Sequence, residues 1–321
     1  MKLFHYQRRD GVENFGDRLN LWLWPQLLPD CFDDDAATVF VGIGTLLNHR
    51  LPERLGSAQQ AVIFSTGVGY ERSLRSMPPG WKIYCVRGPL SAKKLGLPAS
   101  LALTDGAILL RQRFQPAGQK RVAYAFMPHI HHATFAGEVW QQICREIGFG
   151  YIDPRWSVEE VLAAIGQTEV LLAEAMHGAI AAEALRVPWL PVQTSARILP
   201  LKWQDWCASI RVPFRPIVLP PVLPQYPPVA QGLRSGLRAG RYWLRCGAQS
   251  PQGLLELARQ GKQGSITPEN RTLIIAQQLL KAQHTQPILG RADWLETLED
   301  RLCTALDQFQ QDRIRGQTES A

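Results

Sequence analysis

The sequence lacks the cysteine pairs that mark many metal and redox sites. Its six cysteines are widely scattered along 321 residues. None forms a C-x-x-C pair, and none stands beside a histidine at the spacing of metal ligands. The sequence therefore predicts neither a metal site nor a disulfide framework. Free thiols suit a reducing cytoplasm, which is where we expect the protein to act.

Long apolar runs are missing as well. No stretch of about 18 apolar residues occurs, so no transmembrane helix is predicted. The opening MKLFHYQRRDG reads as a short strand followed by charges and lacks the apolar centre of a signal peptide. No G-x-G-x-x-G pattern is completed, and the sequence therefore gives no reason to expect a dinucleotide cofactor.

What the chain does contain is a large apolar fraction and an excess of positive charge. Hydrophobic residues make up 45% and charged residues 20% of the sequence, which is typical of a globular protein with a sizeable core. Lysine and arginine number 35 against 28 acidic residues, giving a formal charge of +7. This balance favours anionic partners. Because no nucleic-acid-binding motif is present, phosphorylated small molecules and anionic membrane surfaces are the partners we consider.

The first part of the chain repeats a pattern of short apolar strand, polar or glycine-containing turn, and helix. This pattern predicts a parallel, doubly wound domain over residues 1–117. In such a sheet, ligands bind at the turns that follow the carboxyl ends of the strands. The predicted strands are MKLFHY, Thr38–Val41, Ala61–Ser65, Ile83–Val86 and a short one at the start of LALTDGAILL.

Polar residues and glycines crowd these turns. Asn14 and Asp17 follow the first strand, where they either cap the next helix or hold and deprotonate sugar hydroxyls. Gly44 and Thr45 belong to a glycine turn that permits close approach of a ligand. We therefore assign these four residues to acceptor binding, with Asp17 also a catalytic candidate.

Two further turns carry charged residues. Arg87 precedes a helix predicted to open at Pro89, and its guanidinium suits a carboxylate or phosphate through two parallel hydrogen bonds. The alternative is an ion pair between Arg87 and a nearby acid. Asp105 lies in the turn of TDGAILL, where it either caps a helix or contacts the acceptor.

A second α/β domain is predicted over residues 118–230, after the polar segment FQPAGQK. Within it, Ser157 with Glu160 three residues later predicts a capping box at the start of a helix. The clearest unit of this domain is VLLAEAMHGAIAAEALRVPWLPV, which reads as strand, turn, helix and strand. His177 and Gly178 stand at the strand-to-helix turn, where the new helix offers N–H groups and a positive dipole end to an anion. We predict that His177 is catalytic, the alternative being a structural histidine.

Other candidates for donor binding lie on either side of this unit. His129, His131 and His132 follow a strand predicted at Val122–Met127, ahead of a helix predicted from Gly137 to Ile147. Their spacing fits no helical pair of metal ligands, so we expect a phosphate contact, chiefly from His129. Lys202 lies on a helix predicted in LPLKWQDWCASI, from which it reaches the cleft or is merely solvated.

The remaining residues, 231–321, are predicted to form a basic helical tail. Arg234, Arg238, Arg241 and Arg245 recur at spacings of four, three and four, which places them on one face of a helix. Such a face suits anionic lipid headgroups, and we expect peripheral contact with the inner face of the membrane. A solvated basic face is the alternative. Two more helices are predicted at about 270–283 and 291–313.

Taken in order, the turn segments resemble the polysaccharide pyruvyltransferase family, particularly members that act in bacterial exopolysaccharide assembly. The resemblance covers about residues 1–205 and leaves out the tail. It implies two Rossmann-like domains facing a cleft, as in the GT-B architecture, and transfer of pyruvate from phosphoenolpyruvate to a sugar as a ketal. No cofactor is implied. The matching segments are NFGDRLN, VGIGTLL, FSTGVGY, CVRGPLSAKKLGL, TDGAILL and EAMHGAIAAEALRVPWLPV.

The resemblance also implies roles and shows one departure. His177 corresponds to a general acid or to a group that neutralises the departing phosphate, and Asn14 and Asp17 would face it across the cleft. Many relatives carry Arg-Leu-His where this chain has Ala-Met-His. The donor must therefore be held by other cations, for which Arg87, Lys202 and Arg197 are the candidates.

Two other functions remain open from sequence. A glycosyltransferase of GT-B architecture would use the same cleft for a nucleotide sugar, since a cleft histidine and a helix N-terminus serve a diphosphate equally well. A non-catalytic glycan-binding subunit is conceivable because the expected arginine is absent. For the pyruvyltransferase, the acceptor would be a lipid-linked oligosaccharide or a polysaccharide.

Overall fold

Two parallel β-sheets carry the fold in the computed structural model of the protein. The structure describes residues 1–222 and 268–318, apart from positions 34, 71, 75, 117, 196 and 197. Arg197, proposed above as a donor contact, lies outside the described residues. So does the whole arginine stripe predicted in the tail.

The first sheet has four strands in the order β1-β2-β3-β4, and every neighbouring pair is parallel. The order advances in one direction, so the reversal expected of a doubly wound sheet does not occur among its described strands. Helices follow β1, β2 and β4. The bounds are β1 (Lys2–Phe4), α1 (Phe15–Leu27), β2 (Thr38–Val41), α2 (Leu51–Leu55), β3 (Gln60–Phe64), β4 (Trp81–Cys85) and α3 (Pro89–Leu95).

The second sheet has five parallel strands in the order β6-β5-β7-β8-β9. Here the chain moves from β5 to β6 on one side and then returns to place β7 on the other side. The order therefore reverses at β5, as expected of a doubly wound sheet. The bounds are β5 (Val122–Met127), α4 (Ile130–Glu146), β6 (Gly150–Tyr151), α5 (Val158–Gly166), β7 (Thr168–Ala173), α6 (Met176–Ala184), β8 (Trp189–Gln193), α7 (Pro200–Ser209) and β9 (Ile217–Val218).

Local sequence signals explain several of these boundaries. The Ser157 hydroxyl accepts the Glu160 N–H, and the Glu160 carboxylate accepts the Ser157 N–H, which confirms the expected capping box of α5. Helix α3 begins at Pro89, a favoured first position because proline has no N–H to leave unpaired. Strand β7 ends in three fully buried residues, Leu171, Leu172 and Ala173, since helices cover both faces of such a sheet.

Two boundaries differ from the sequence-based prediction. Helix α4 begins at Ile130 rather than Gly137, because the His129 side chain accepts the His131 N–H and so caps the helix about two turns earlier. A kink at Ala136 divides α4, and the helix predicted from Gly137 corresponds to the part after the kink. The strand predicted in LALTDG shrinks to a single bridge between Val86 and Ala102. Two 3₁₀ segments, Ala99–Leu101 and Gly106–Gln112, occupy this region.

Two helices complete the described chain, α8 (Pro268–Ala282) and α9 (Ala292–Thr318). Their positions agree with the two helices expected in the tail. Neither they nor any other helix in the described ranges is long and apolar enough to cross a membrane. The extended helix α9 packs against both α7 and the first sheet, through Trp294 near its start and Phe309 near its end.

Candidate active site

The crevice of the second sheet lies where the strand order reverses, between β5 and β7. Helices α4 and α6 begin directly after these two strands, so their N-termini flank the crevice. Helix N-termini carry N–H groups and partial positive charge, and this arrangement is the usual ligand site of open α/β sheets. His177 lies in the first turn of α6 and His129 is the N-cap residue of α4.

Helix α1 of the first sheet meets this crevice at Gly16. A Cβ atom added to Gly16 would lie 2.1 Å from His177 Nδ1, so only glycine lets the imidazole ring pack against the first turn of α1. The turns after β1 and β7 are therefore neighbours, although Gly16 and His177 lie 161 residues apart in the chain (177 − 16).

Asn14 and Asp17 lie beside this contact. The Asn14 side chain caps no helix; instead its Nδ2 donates a hydrogen bond of 2.8 Å to Asp17 Oδ2. Removal from water raises the pKa of Asp17, although the Asn14 hydrogen bond and the positive charges of His177, His5 and Lys202 oppose the rise. A carboxyl group with a raised pKa is better suited to accept a proton from a hydroxyl group.

Asp105 is fully buried, so it does not fit the predicted contact with the acceptor. Its Oδ1 accepts the Ala107 N–H at 3.1 Å, which agrees with the alternative reading as a cap. Its Oδ2 points to His177 and lies 3.7 Å from the ring Nε2. The first sheet thus approaches the catalytic candidate from two sides, through α1 and through the turn at Asp105.

Arg87 does not fit the predicted donor contact either. Its side chain is fully buried, and Nε forms an ion pair of 3.1 Å with Asp205 on α7. The remaining guanidinium donors bond Gly44 O, Thr45 Oγ1 and Val68 O. A guanidinium satisfied in this way holds the loops of the first sheet together and is not available to an incoming anion, which is the ion-pair alternative named above.

The same network accounts for the predicted acceptor residues Gly44 and Thr45. Gly44 is buried, and its carbonyl oxygen accepts from Arg87 Nη1, from the Gly67 N–H and from the Thr66 hydroxyl. Gly44 therefore does not fit the predicted contact with a sugar. Thr45 binds Arg87 but keeps part of its surface exposed, so its predicted role stays a prediction.

Lys202 is the predicted cation that the structure places at the crevice. It lies on α7, is only 7% exposed, and its Nζ donates a hydrogen bond of 2.7 Å to the Tyr70 hydroxyl. Its positive charge acts on Asp17 and on His129, which come from α1 and α4. Lys202 therefore belongs to the same group of side chains as His177.

His129 contributes hydrogen bonding rather than charge. Burial holds its pKa well below the usual value, and the positive charges of Lys202, His131, His132 and Arg8 lower it further. Gly178, the other predicted donor contact, is buried, and a Cβ there would lie 2.5 Å from Met127 Sδ. Its small size lets α6 pack closely on β5.

Sequence reasoning missed Glu174, a fully buried carboxylate directly after β7. It binds the His129 N–H, His132 Nδ1, and both the N–H and hydroxyl of Thr194. Burial alone would raise the pKa of Glu174, but the interactions with His132, Thr194 and His129 outweigh it and lower the pKa below its usual value. An acidic residue that ends an apolar strand is the sequence signal for such a role.

His129, His131 and His132 lie at the start of α4 and contact other residues. Within the described ranges, no group of three or more histidine, cysteine, aspartate or glutamate side chains is arranged to hold a metal ion. His131 instead lies 3.3 Å from Arg8 Nη1, which links the loop after β1 to α4.

Comparison with known proteins gives two matches. Residues 38–195 match the family model described as polysaccharide pyruvyl transferase, a range that includes Asp105 and His177 and leaves out Asp17 and Lys202. The chain is also 34% identical to the succinoglycan biosynthesis protein ExoV of Rhizobium meliloti (strain 1021), over an alignment of 330 residues that covers 97% of this chain and 99% of the relative. No solved structure matches the chain.

Proposed function

The chain belongs to the polysaccharide pyruvyl transferase family, and from this premise we propose that its donor is phosphoenolpyruvate and that it needs no cofactor. The acceptor is a sugar of an exopolysaccharide or of its lipid-linked repeat unit, and the product is a ketal. The observation that carries the proposal is the position of His177, at a helix N-terminus and in contact with α1 of the other sheet.

The charges at the crevice suit this donor. Phosphoenolpyruvate carries a phosphate and a carboxylate, and the N-termini of α4 and α6 present N–H groups and partial positive charge to anions. Lys202 adds a full positive charge from α7. With Arg87 occupied by Asp205, Lys202 is our choice for the cation that replaces the arginine expected beside His177.

The reaction assigns a proton transfer to each side of the crevice. His177 donates a proton to the methylene carbon of phosphoenolpyruvate, which leaves cationic character on the carbon that bears the phosphate. A sugar hydroxyl bonds to that carbon and gives its proton to Asp17. The carbon–oxygen bond to phosphate then breaks, and phosphate leaves with the electron pair. A second hydroxyl then bonds to the same carbon and returns its proton to His177, while Asp17 passes the first hydroxyl proton to the departing phosphate, which completes the ketal.

We propose a GT-B-like arrangement for this chemistry, with the carboxyl ends of both sheets facing one cleft. Three contacts between residues that follow strands of the first sheet and residues that follow strands of the second sheet support this arrangement. Gly16 packs on His177, Asp105 approaches the same ring, and the Tyr70 hydroxyl accepts a hydrogen bond from Lys202. The domain bounds of 1–117 and 118–230 stay a prediction, as does peripheral membrane contact through the arginine stripe.

Replacing His177 tests the function. We expect His177→Gln to reduce phosphate release from phosphoenolpyruvate, measured with a panel of lipid-linked oligosaccharides, by about 10²- to 10⁴-fold. Thermal unfolding should stay close to that of the wild type, because the ring is partly exposed. His284→Gln, at an exposed position after α8, is the matched control and should keep full activity.

Parallel incubations distinguish the other functions. Release of a nucleoside diphosphate from a nucleotide sugar, with none of phosphate from phosphoenolpyruvate, would identify a glycosyltransferase. Glycan binding without either release would identify a binding subunit. Full turnover by a correctly folded His177→Gln protein would remove His177 from the mechanism.

A further inference from the structure

Two buried polar atoms from distant parts of the chain face each other at the candidate site. Asp105 Oδ2 and His177 Nε2 are both shielded from solvent, and neither has a hydrogen-bond partner in the described part of the chain. They lie 3.7 Å apart. Because unpaired buried polar groups cost free energy, two such groups in apposition indicate that each is the other's partner.

The position of Asp105 is fixed by the first sheet. Its Oδ1 accepts the Ala107 N–H at the start of the 3₁₀ segment Gly106–Gln112. The apolar residues of that segment, among them Ile108 and Leu109, are fully buried in the same core as α6. The carboxylate is therefore held in place next to α6, while the imidazole can close the remaining gap by a small rotation.

We propose that Asp105 is a positioning residue for His177. Its carboxylate accepts a hydrogen bond from the Nε2–H of the ring, favours the protonated imidazole, and so leaves the Nδ1 proton for the donor. Since Nε2 is buried, the 16% exposure of the His177 side chain belongs to its other atoms. The role in proton transfer rests on the proposed function, whereas the pairing itself does not.

The protons balance in this scheme. When Nδ1 gives its proton to the methylene carbon, the ring becomes neutral and keeps the Nε2 proton toward Asp105. A proton released by one of the two adding hydroxyls later restores Nδ1–H. The carboxylate of Asp105 stays ionised throughout, as the partner of a histidine in a proton-transfer pair does.

Two carboxylates thus face His177 with different tasks. Asp105 approaches Nε2 from the 3₁₀ segment and is enclosed, whereas Asp17 approaches from α1 and keeps part of its surface exposed. Lys202 from α7 and His5 from the loop after β1 place positive charge near Asp17. Asp105 is the carboxylate that solvent and substrate do not reach, and its charge acts on the ring and on the buried Cys85 thiol.

Imidazole NMR of protein labelled with ¹⁵N-histidine tests the pairing directly, with His177→Gln used to assign the signal. We expect the titration midpoint of His177 to fall by about one pH unit in Asp105→Asn, because the opposite charge next to the ring is removed. Asp312→Asn is the control, because it removes a carboxylate that binds Lys82, Tyr84 and Gln308 and lies away from His177. An unchanged midpoint in a folded Asp105→Asn protein would overturn the proposal.

The wild-type protein alone gives a second measurement, which holds even where Asp105→Asn fails to fold. Neutral His177 should carry its proton on Nε2, and the ¹⁵N shifts distinguish this from the Nδ1 tautomer. A predominant Nδ1–H tautomer would overturn the pairing.

Kinetics separate this inference from the proposed function. We expect Asp105→Asn to lower kcat for phosphate release roughly 100-fold and to move the alkaline limb of the pH profile to lower pH, with the KM for phosphoenolpyruvate changed less than kcat. Wild-type protein that shows the NMR behaviour without turning over phosphoenolpyruvate would refute the donor but not the pairing. Normal turnover by the wild type, together with an unchanged titration midpoint in Asp105→Asn, would refute the pairing but leave phosphoenolpyruvate as the donor.

Discussion

At the scale of single residues, Gly16 leaves the space in which the His177 ring packs against α1. A methyl group at residue 16 would overlap Nδ1, at a separation of 2.1 Å. The ring must then move from the position that it has in the structure. Because Gly16 lies in a helix, alanine itself suits the backbone there and favours α1 by about 1 kcal/mol.

We therefore expect Gly16→Ala to reduce activity while leaving the protein folded. A displacement of about 1 Å of a catalytic group can cost roughly 100-fold in rate, and kcat for phosphate release is the quantity to measure. Gly137→Ala is the matched control, since it is also a helical glycine, and its added Cβ meets the end of the Arg155 side chain at 3.2 Å and the Tyr151 hydroxyl at 3.5 Å. Equal activity of Gly16→Ala and Gly137→Ala would refute the steric argument.

Arg87 shows what the sequence could not reveal at this scale. Its place at the carboxyl end of β4 was predicted, because apolar runs and the helix-opening Pro89 bracket it. Its role as the partner of an acid could not be predicted, since that acid is Asp205, 118 residues later in the chain. Whether a charged side chain at a strand end faces a ligand or an acid depends on packing between distant elements, on which local sequence carries no information.

At the scale of elements, Glu174 joins the carboxyl ends of three neighbouring strands. The bonded residues follow β5 (His129), β7 (Glu174 itself) and β8 (Thr194). The distances are 2.8 Å to the His129 N–H, 3.0 Å to the Thr194 N–H and 2.6 Å to His132 Nδ1. This carboxylate thereby fixes where α4 begins, and with it one wall of the proposed donor crevice.

We expect Glu174→Gln to destabilise the protein by roughly 1–3 kcal/mol, because an amide cannot accept all of these hydrogen bonds. The lowered pKa of Glu174 sets the pH dependence. Because the pKa of Glu174 is lowered on folding, its carboxylate stabilises the folded protein at pH values above its usual pKa of 4.5. That stabilisation is lost as the pH falls through the folded-state pKa. Denaturant unfolding should therefore show the difference from wild type at pH 7 and a smaller difference near pH 4. A constant difference across this range would contradict the assignment.

Elements with strong local signals were the ones predictable from sequence. Strands β2 and β5 have the predicted bounds, and the capping box at Ser157 correctly marks the start of α5. The predicted start of α4 was wrong because histidine is an unusual N-cap residue, and whether it caps a helix depends on the geometry of its side chain. The strand order could not be predicted from the sequence either. Both sheets have the same local pattern of strand, turn and helix, but among the described strands only the second sheet reverses its order.

At the scale of the whole molecule, α9 spans the described structure. Its first turns bond α7, through Trp294 Nε1 and Ser209 O at 2.8 Å. Its middle pairs Glu299 with Arg111 of the 3₁₀ segment that starts beside Asp105. Its last turns reach the first sheet, where Phe309 packs against Phe40 and Tyr84 with ring centroids 5.7 and 5.5 Å away. A single helix thus supports the segment that positions Asp105.

Phe309 is the residue at which this bracing can be tested, because it is 2% exposed and lies between rings of two strands. We expect Phe309→Ala to cost about 3–5 kcal/mol through lost burial and the cavity it leaves, whereas Ile314→Ala, at an exposed position of the same helix, should stay within about 0.5 kcal/mol. Hydrogen exchange shows which strands lose stability in Phe309→Ala. If α9 braces the first sheet, the amides of β2 and β4 lose protection before those of β5 and β7. Equal loss in both sheets would mean that the described fold opens as one cooperative unit, with α9 stabilising all of it rather than one sheet.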